Sequence, residues 1–302
     1  MTNTIGKPFQ RVEDSKFLKG LGRYTDDISF KEMVYMYVVR SPHPAAFIKK
    51  IDYSSALQLR DVLGVYTYND ISEFLWPLPS FGNYTKSENE SMFKPTRHIL
   101  ANQKVSYTGQ PIVCILAKSN YIAKNAADHI MIDYETLESV TDIKQAIKKD
   151  SPKVWNDCKD NISFIFNIGN KNKVEDLFND AKYIFEIDHD ISRVYAAPME
   201  NRSAIGVYNK ENNKFTLYSG SQAPHNLKKI LANDIFHLPE NQIRVVSPDM
   251  GGAFGMRSSI YPEMPLVMWF SKVLGVPVKW VSERSEGFLS DDQARDNYTK
   301  IS

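Results

Sequence analysis

The stretch from 111 to 135 leaves the fewest options. PIVCILA (111–117) is an unbroken apolar run of strand length, NYIAKNAADHI (120–130) reads as a helix, and MIDYE (131–135) reads as a second strand. Strand, helix and strand joined by short connections indicate an α/β domain, because the helix must cover the sheet that the strands build. Upstream, MVYMYVVRS is a buried strand rich in Val, Tyr and Met, and YSSALQLRDVLGVYTYND reads as a short helix followed by a strand. Between them and the core unit lies a long irregular loop, from about 73 to 98, with three prolines and many turn formers.

A second domain follows. VTDIKQAIKKDSPKVWNDCKDN reads as a short helix and a charged linker, and KYIFEIDHDIS (182–192) alternates imperfectly, with strand character. SAIGVYN and KFTLYSG form the arms of a hairpin across KENN. HNLKKILANDIF is helical with Leu227, Ile230, Leu231 and Ile235 on one face, IRVVS (243–247) is a strand, and PEMPLVMWFSKVLG is a helix that Gly275 closes. VKWV is another strand, and YTKIS opens a last one. This divides the chain into an N-terminal extension (1–17), an α/β domain (18–139), a linker (140–165) and a second domain (166–302), expected to be incomplete.

Charge and cysteine content exclude several classes of function. With 37 basic and 36 acidic residues the net charge is +1, which gives no reason to expect nucleic acid or a membrane surface as partner. Two cysteines, Cys114 and Cys158, make neither a disulfide framework nor an iron–sulfur ligand set, and Cys114 lies within the apolar PIVCILA run as a core residue. The N-terminus lacks the apolar region of a signal peptide, and no apolar run approaches the roughly 18 residues of a membrane span. A cytoplasmic location is expected.

Directly behind IRVVS comes DMGGAFGMR (249–257). Its spacing is neither a dinucleotide fingerprint nor a Walker A loop, which needs a Gly-Lys-Ser/Thr. Glycines there allow positive φ and let backbone N–H groups approach an anionic ligand closely. A tight strand-to-helix turn with Phe254 pointing into the core is an equal reading of the loop alone. SGSQAPHNLKK (219–229) presents Gln222 at a strand end, before Pro224 opens a helix, either as an amide for a ligand or as a surface cap. AAPMENRSAIGVY gathers Pro198, Glu200 and Arg202, which alone read as a solvated turn.

The order PMENR, SGSQAPH, IRVVSPDMGGAFGMR and YPEMPLVMWFSKVLGVPVKWVSERSEGFLSD resembles the molybdopterin-binding large subunit of the xanthine dehydrogenase / aldehyde oxidase / carbon monoxide dehydrogenase family. GKPFQRVEDSKFLKGLGRYTDDI, VVRSPHPAAFI and YTGQPIVCILAKSNYIAKNAADHIMIDYE are similar to that family's α/β hammerhead domain, so the resemblance covers nearly the whole chain. It implies an α/β (α+β) fold: the hammerhead domain followed by the first part of a molybdopterin-binding domain. It also implies a molybdenum–pterin cofactor, possibly a cytosine dinucleotide, framed by Gly251, Gly252, Ala253, Phe254 and Gly255, with Gln222 near the molybdenum and no protein ligand directly on the metal. Glu200 and Arg257 fall beside this loop as candidates for the substrate pocket.

Family members add water-derived oxygen to an aldehyde or N-heterocycle, or oxidise carbon monoxide, and pass two electrons onward. The resemblance therefore implies iron–sulfur and FAD centres on partner subunits. It places the general-base glutamate beyond Ser302, on the same or a second chain, so no catalytic residue is assignable and the chain alone is expected to be inactive. Met256-Arg257-Ser258 lacks the Lys-Glu that purine oxidisers place after the Phe-Gly pair, which argues against purines as substrate. A non-catalytic relic or assembly module of the same fold is the alternative.

Overall fold

The computed structural model describes residues 5–87 and 89–302. A short helix, α1 (Asp14–Leu18), and a 3-10 turn at Thr25–Asp27 lead into β1 (Val34–Arg40), which buries Val34, Met36 and Val38 on one face. Then come β2 (Ala46–Asp52), α2 (Ser54–Leu57), β3 (Val62–Tyr66) and α3 (Tyr68–Ile71). The proline-rich stretch is irregular apart from a small ribbon, β4 (Thr85–Ser87) with β5 (Glu90–Ser91). After β6 (Lys104–Val105) and β7 (Pro111–Ala117), Ser119 caps α4 (Asn120–Ala127) by accepting the Ile122 N–H, and β8 (Met131–Thr136) follows.

The second half opens with α5 (Ile143–Ala146) and an exposed helix, α6 (Lys171–Asp180), that was not among the expected elements; Asn170 caps it through the Lys173 N–H. The strand read at 182–192 contracts to β9 (Ile187–Ile191). β10 (Ser203–Asn209) and β11 (Lys214–Tyr218) form the expected hairpin, with Asn213 at φ 52° in its turn. α7 (Pro224–Ile230) passes into a π-helical turn at Leu231–Phe236 before β12 (Ile243–Val246). Gly275, at φ 72°, closes α8 (Glu263–Leu274), and β13 (Val278–Val281), α9 (Arg284–Ser290) and β14 (Asn297–Ile301) complete the chain. No helix among the described residues is long and apolar enough to cross a membrane.

One seven-stranded sheet takes strands from both halves, in the order β12-β11-β10-β13-β1-β7-β3. Its seam is the parallel pairing of β1 with β13, Val34 opposite Val278. The strand–helix–strand unit is present, but its strands part company: β7 enters the large sheet, whereas β8 pairs with β2 in a three-stranded sheet with β6. β7 thereby becomes a wall between two cores. Cys114 and Leu116 face the core under α8, while Val113, Ile115 and Ala117 face the one that α4 closes. A strand buried on both faces must be apolar throughout, which accounts for PIVCILA.

α8 lies directly on β10. A Cβ at Gly206 would come within 2.2 Å of the Val267 carbonyl oxygen, so only glycine permits that approach. By contrast β9 and β14 form a separate two-stranded ribbon, and Phe166, Ile168, Leu177, Tyr183 and Phe185 around it face solvent.

The two halves are also bolted together by charge. Glu263, in the first turn of α8 and 1% exposed, accepts hydrogen bonds from Arg40 Nη2 at 2.5 Å and Arg202 Nη1 at 2.9 Å. Arg202 reaches Asp291 at 2.5 Å through Nε, and Arg40 reaches Glu286 at 2.7 Å. The Arg202 guanidinium also lies 3.6 Å from the Tyr261 ring centroid. Burial alone would push the Glu263 carboxyl up, but Arg202 and Arg40 overcome it and hold the pKa at about 2. The depressed value fixes the sign: this stabilisation is complete above pH 4.5, the ordinary value, and is lost as pH falls toward 2. Glu263→Gln is expected to lower unfolding stability at neutral pH by roughly 3–5 kcal/mol, because it leaves buried guanidiniums underpaired. Urea unfolding of both proteins across acid pH checks this; equal stabilities, or an unaltered acid profile in the variant, contradict it.

Candidate functional site

The site is built where β11 and β12, parallel neighbours, end side by side. Beyond β11, the Ser219 N–H bonds Val246 O at 3.1 Å, and the Ser221 N–H bonds the Ser247 hydroxyl at 3.0 Å. These bonds deliver Gln222 beside the glycine loop that follows β12. Its side-chain oxygen accepts the Gly255 N–H at 3.0 Å, and its own N–H donates to the Arg257 carbonyl at 3.0 Å. Gln222 is exposed, and with its oxygen engaged the amide NH2 remains available to donate outward.

Within the loop each position does something different. Gly252 sits at φ 110° and Gly255 at φ 94°, in the left-handed region that glycine tolerates. Ala253 has no positive φ, so its methyl is accommodated without backbone strain. Phe254, at φ 53° and 76% exposed, does not enter the core; its ring lies over Gly252 on the outer surface. A Cβ on Gly255 would meet no atom within 4 Å, so that side of the loop is open. The backbone N–H groups of Gly252, Ala253 and Phe254 have no hydrogen-bond partner among the described residues.

The underside is packed and charged. Glu200 Oε2 accepts the Gly251 N–H at 2.8 Å and lies 3.1 Å from Arg257 Nη1. Arg257 is 2% exposed, turned into the protein and away from the open face. Burial pushes the Glu200 carboxyl above its ordinary value, with the Gly251 amide and Arg257 pulling it back. PMENR is therefore no solvated turn: Arg202 joins the buried ion-pair lattice, and Arg284 donates to the Pro198 and Met199 carbonyls at 2.7 Å each. At the loop entrance Asp249 is held by Lys16 and by the Arg23 N–H at 2.7 Å, so the N-terminal segment clasps the site.

The fold thus gathers Gln222, Gly251, Gly252, Ala253, Phe254 and Gly255 into one surface, with Glu200 and Arg257 beneath it. Sequence reading did not find Gly220, whose missing side chain makes room for Arg257; a Cβ there would lie 2.6 Å from Nη1. The glycine was visible, its neighbour was not. A cleft of about 760 Å³ lined by Tyr107, Trp155, Asp292 and others includes no residue of the loop. Among the described residues no group of three or more His, Cys, Asp or Glu could hold a metal ion. The site's free donors are neutral N–H groups, which suit an anionic ligand.

A family model described as aldehyde oxidase and xanthine dehydrogenase, a/b hammerhead domain, matches residues 19–138, and one described as molybdopterin cofactor-binding domain matches 154–302. The chain is 33% identical to the nicotine 6-hydroxylase large subunit of Paenarthrobacter nicotinovorans, over 99% of this chain and 36% of that protein. It is 32% identical to the carbon monoxide dehydrogenase large chain of Afipia carboxidovorans, over 97% and 36% respectively. The quinoline 2-oxidoreductase structure from Pseudomonas putida 86 superposes with a TM-score of 0.87 at 27% identity, over 99% of this chain and 37% of that one. The chain spans about a third of the length of the curated relatives it matches.

The backbone analysis carries a direct test. Gly252→Ala forces a side chain to φ 110° with its Cβ 3.1 Å from that of Pro198, and is expected to lower stability by more than about 1 kcal/mol. Ala253→Gly should change it by about 0.5–1 kcal/mol through the unfolded chain alone. Urea midpoints for the two variants in the reverse order contradict the assignment.

Proposed function

Because the chain belongs to the molybdopterin-binding large-subunit family of xanthine dehydrogenase, aldehyde oxidase and carbon monoxide dehydrogenase, we propose that it forms the glycine-loop part of a molybdenum–pterin site in an oxidoreductase. The observation that carries this reading is the run of three unpartnered amides, Gly252 to Phe254, beside the exposed Gln222 amide. When bound, the cofactor supplies two-electron oxidation of a substrate C–H bond, with the oxygen derived from water. The chain's own residues bind and orient. The amides of Gly252, Ala253 and Phe254 and the Gln222 NH2 donate to the cofactor's acceptors, Gly255 leaves space for its approach, and Phe254 shields it from water.

The substrate class is an aldehyde, an N-heterocycle or a similar small molecule. Met256-Arg257-Ser258 carries no acid where purine oxidisers place Lys-Glu, and Arg257 is buried, so the loop offers no charged pair to a purine. Electrons pass to iron–sulfur and FAD centres on partner subunits, in the cytoplasm. The general-base glutamate and the rest of the pocket belong to the part of the relatives' length that this chain does not match.

Co-expression with the remaining part of a large subunit and with the partner subunits tests this by metal and pterin analysis. Gln222→Ala is expected to lower molybdenum occupancy about tenfold or more, as loss of an orienting partner commonly does. Gly255→Val should block occupancy by filling the open side of the loop. Wild-type molybdenum content in both variants contradicts the reading, and a complex that never takes up molybdenum favours a non-catalytic module instead.

A further inference from the structure

We propose that Glu200 and Arg257 are positioning residues: a buried ion pair that grips the glycine loop from beneath and sets the direction in which its free amides point. The proposal rests on the cofactor reading for what the loop presents, but not for how the loop is held.

Glu200 and Gly251 bond each other in both directions. The Glu200 N–H donates to the Gly251 carbonyl at 3.2 Å, and the Gly251 N–H donates to the Glu200 carboxylate at 2.8 Å. Arg257 closes the circuit from the far end of the loop. Its Nη1 faces the same carboxylate oxygen at 3.1 Å, and its Nη2 donates to the Glu200 carbonyl at 2.6 Å. Its own carbonyl accepts the Gln222 N–H at 3.0 Å. The two ends of the loop, 251 and 257, are therefore tied to one residue, and Gln222 is tied to the same circuit.

Two glycines exist for this pair. At Gly251 a Cβ would lie 2.5 Å from the Glu200 Cβ, and at Gly220 it would lie 2.6 Å from Arg257 Nη1. Gly251 thus serves the packing beneath the loop, a different task from the positive φ of Gly252 and Gly255. Burying such a pair is costly, and Arg257 Nε has no hydrogen-bond partner, so an apolar pair would fill the space more cheaply. What an apolar pair cannot do is fix direction, because hydrogen bonds from a planar guanidinium and a carboxylate hold geometry that apolar contacts do not. The grip is also referenced to the rest of the fold. Glu200 is two residues before Arg202, which the buried Glu263 and Asp291 carboxylates hold in place.

Hydrogen exchange in the full chain tests this, comparing peptides over 249–257 with the β7 core strand at 111–117 as an internal control. Glu200→Ala and Arg257→Met are expected to speed loop exchange by about tenfold or more, with β7 unchanged, since each removes charge-assisted bonds. Glu200→Gln, which keeps an acceptor and the side-chain volume, should give a smaller rise should the alanine variant fold poorly. Arg257→Lys, which keeps the charge but not the planar two-pronged donor, should recover only part of the protection. Unchanged loop exchange overturns the proposal, and so does an equal rise in loop and β7, which is the signature of global destabilisation. Faster loop exchange with wild-type molybdenum content in the loaded complex leaves the grip standing and removes the cofactor role of the loop.

Discussion

A single desolvated carboxylate, that of Glu263, organises this molecule. It is buried from solvent, so it is tolerable only between the Arg40 and Arg202 guanidiniums. Arg40 ends β1, Arg202 precedes β10, and Glu263 opens α8. Three elements from the two halves of the chain are thereby fixed to one point. The seven-stranded sheet that runs through both halves, and the close seat of α8 on β10 at Gly206, keep that point in register.

From there the order of support runs outward. Arg202 is anchored, so Glu200 two residues before it is placed, and Glu200 with Arg257 holds the glycine loop. Side chains do the holding underneath, where burial makes each unmade bond expensive. Backbone does the presenting above, where the Gly252, Ala253 and Phe254 amides are free. The glycines divide between these tasks: Gly220 and Gly251 make room below, Gly252 turns the chain, and Gly255 leaves the outer side open.

The legible parts of the sequence were those whose causes are local. PIVCILA had to be a buried strand, Gly275 had to stop a helix, and asparagines marked the β10–β11 turn. The motif order also put Gln222 and the glycine loop in one site by resemblance. What stayed hidden depends on partners far apart along the chain. Nothing near Arg40 announces Glu263, and nothing near Gly220 announces Arg257. PMENR read as solvated because its charges are neutralised only by residues distant along the chain, Arg202 by Glu263 and Asp291 and Glu200 by Arg257. The exposed helix α6 was legible in principle, because Val174, Leu177 and Phe178 stand at helical spacing behind the Asn170 cap, although none of its residues is buried.

The most direct test is a structure of the assembled large subunit carrying its cofactor. The expected result is density for the molybdenum–pterin group against the outer face of the glycine loop. Its acceptors should lie within hydrogen-bonding distance of the Gly252 to Phe254 amides and the Gln222 NH2, with the Glu200–Arg257 pair intact beneath. A cofactor seated elsewhere, or a loop face sealed by protein side chains, would contradict the division between a holding underside and a presenting backbone.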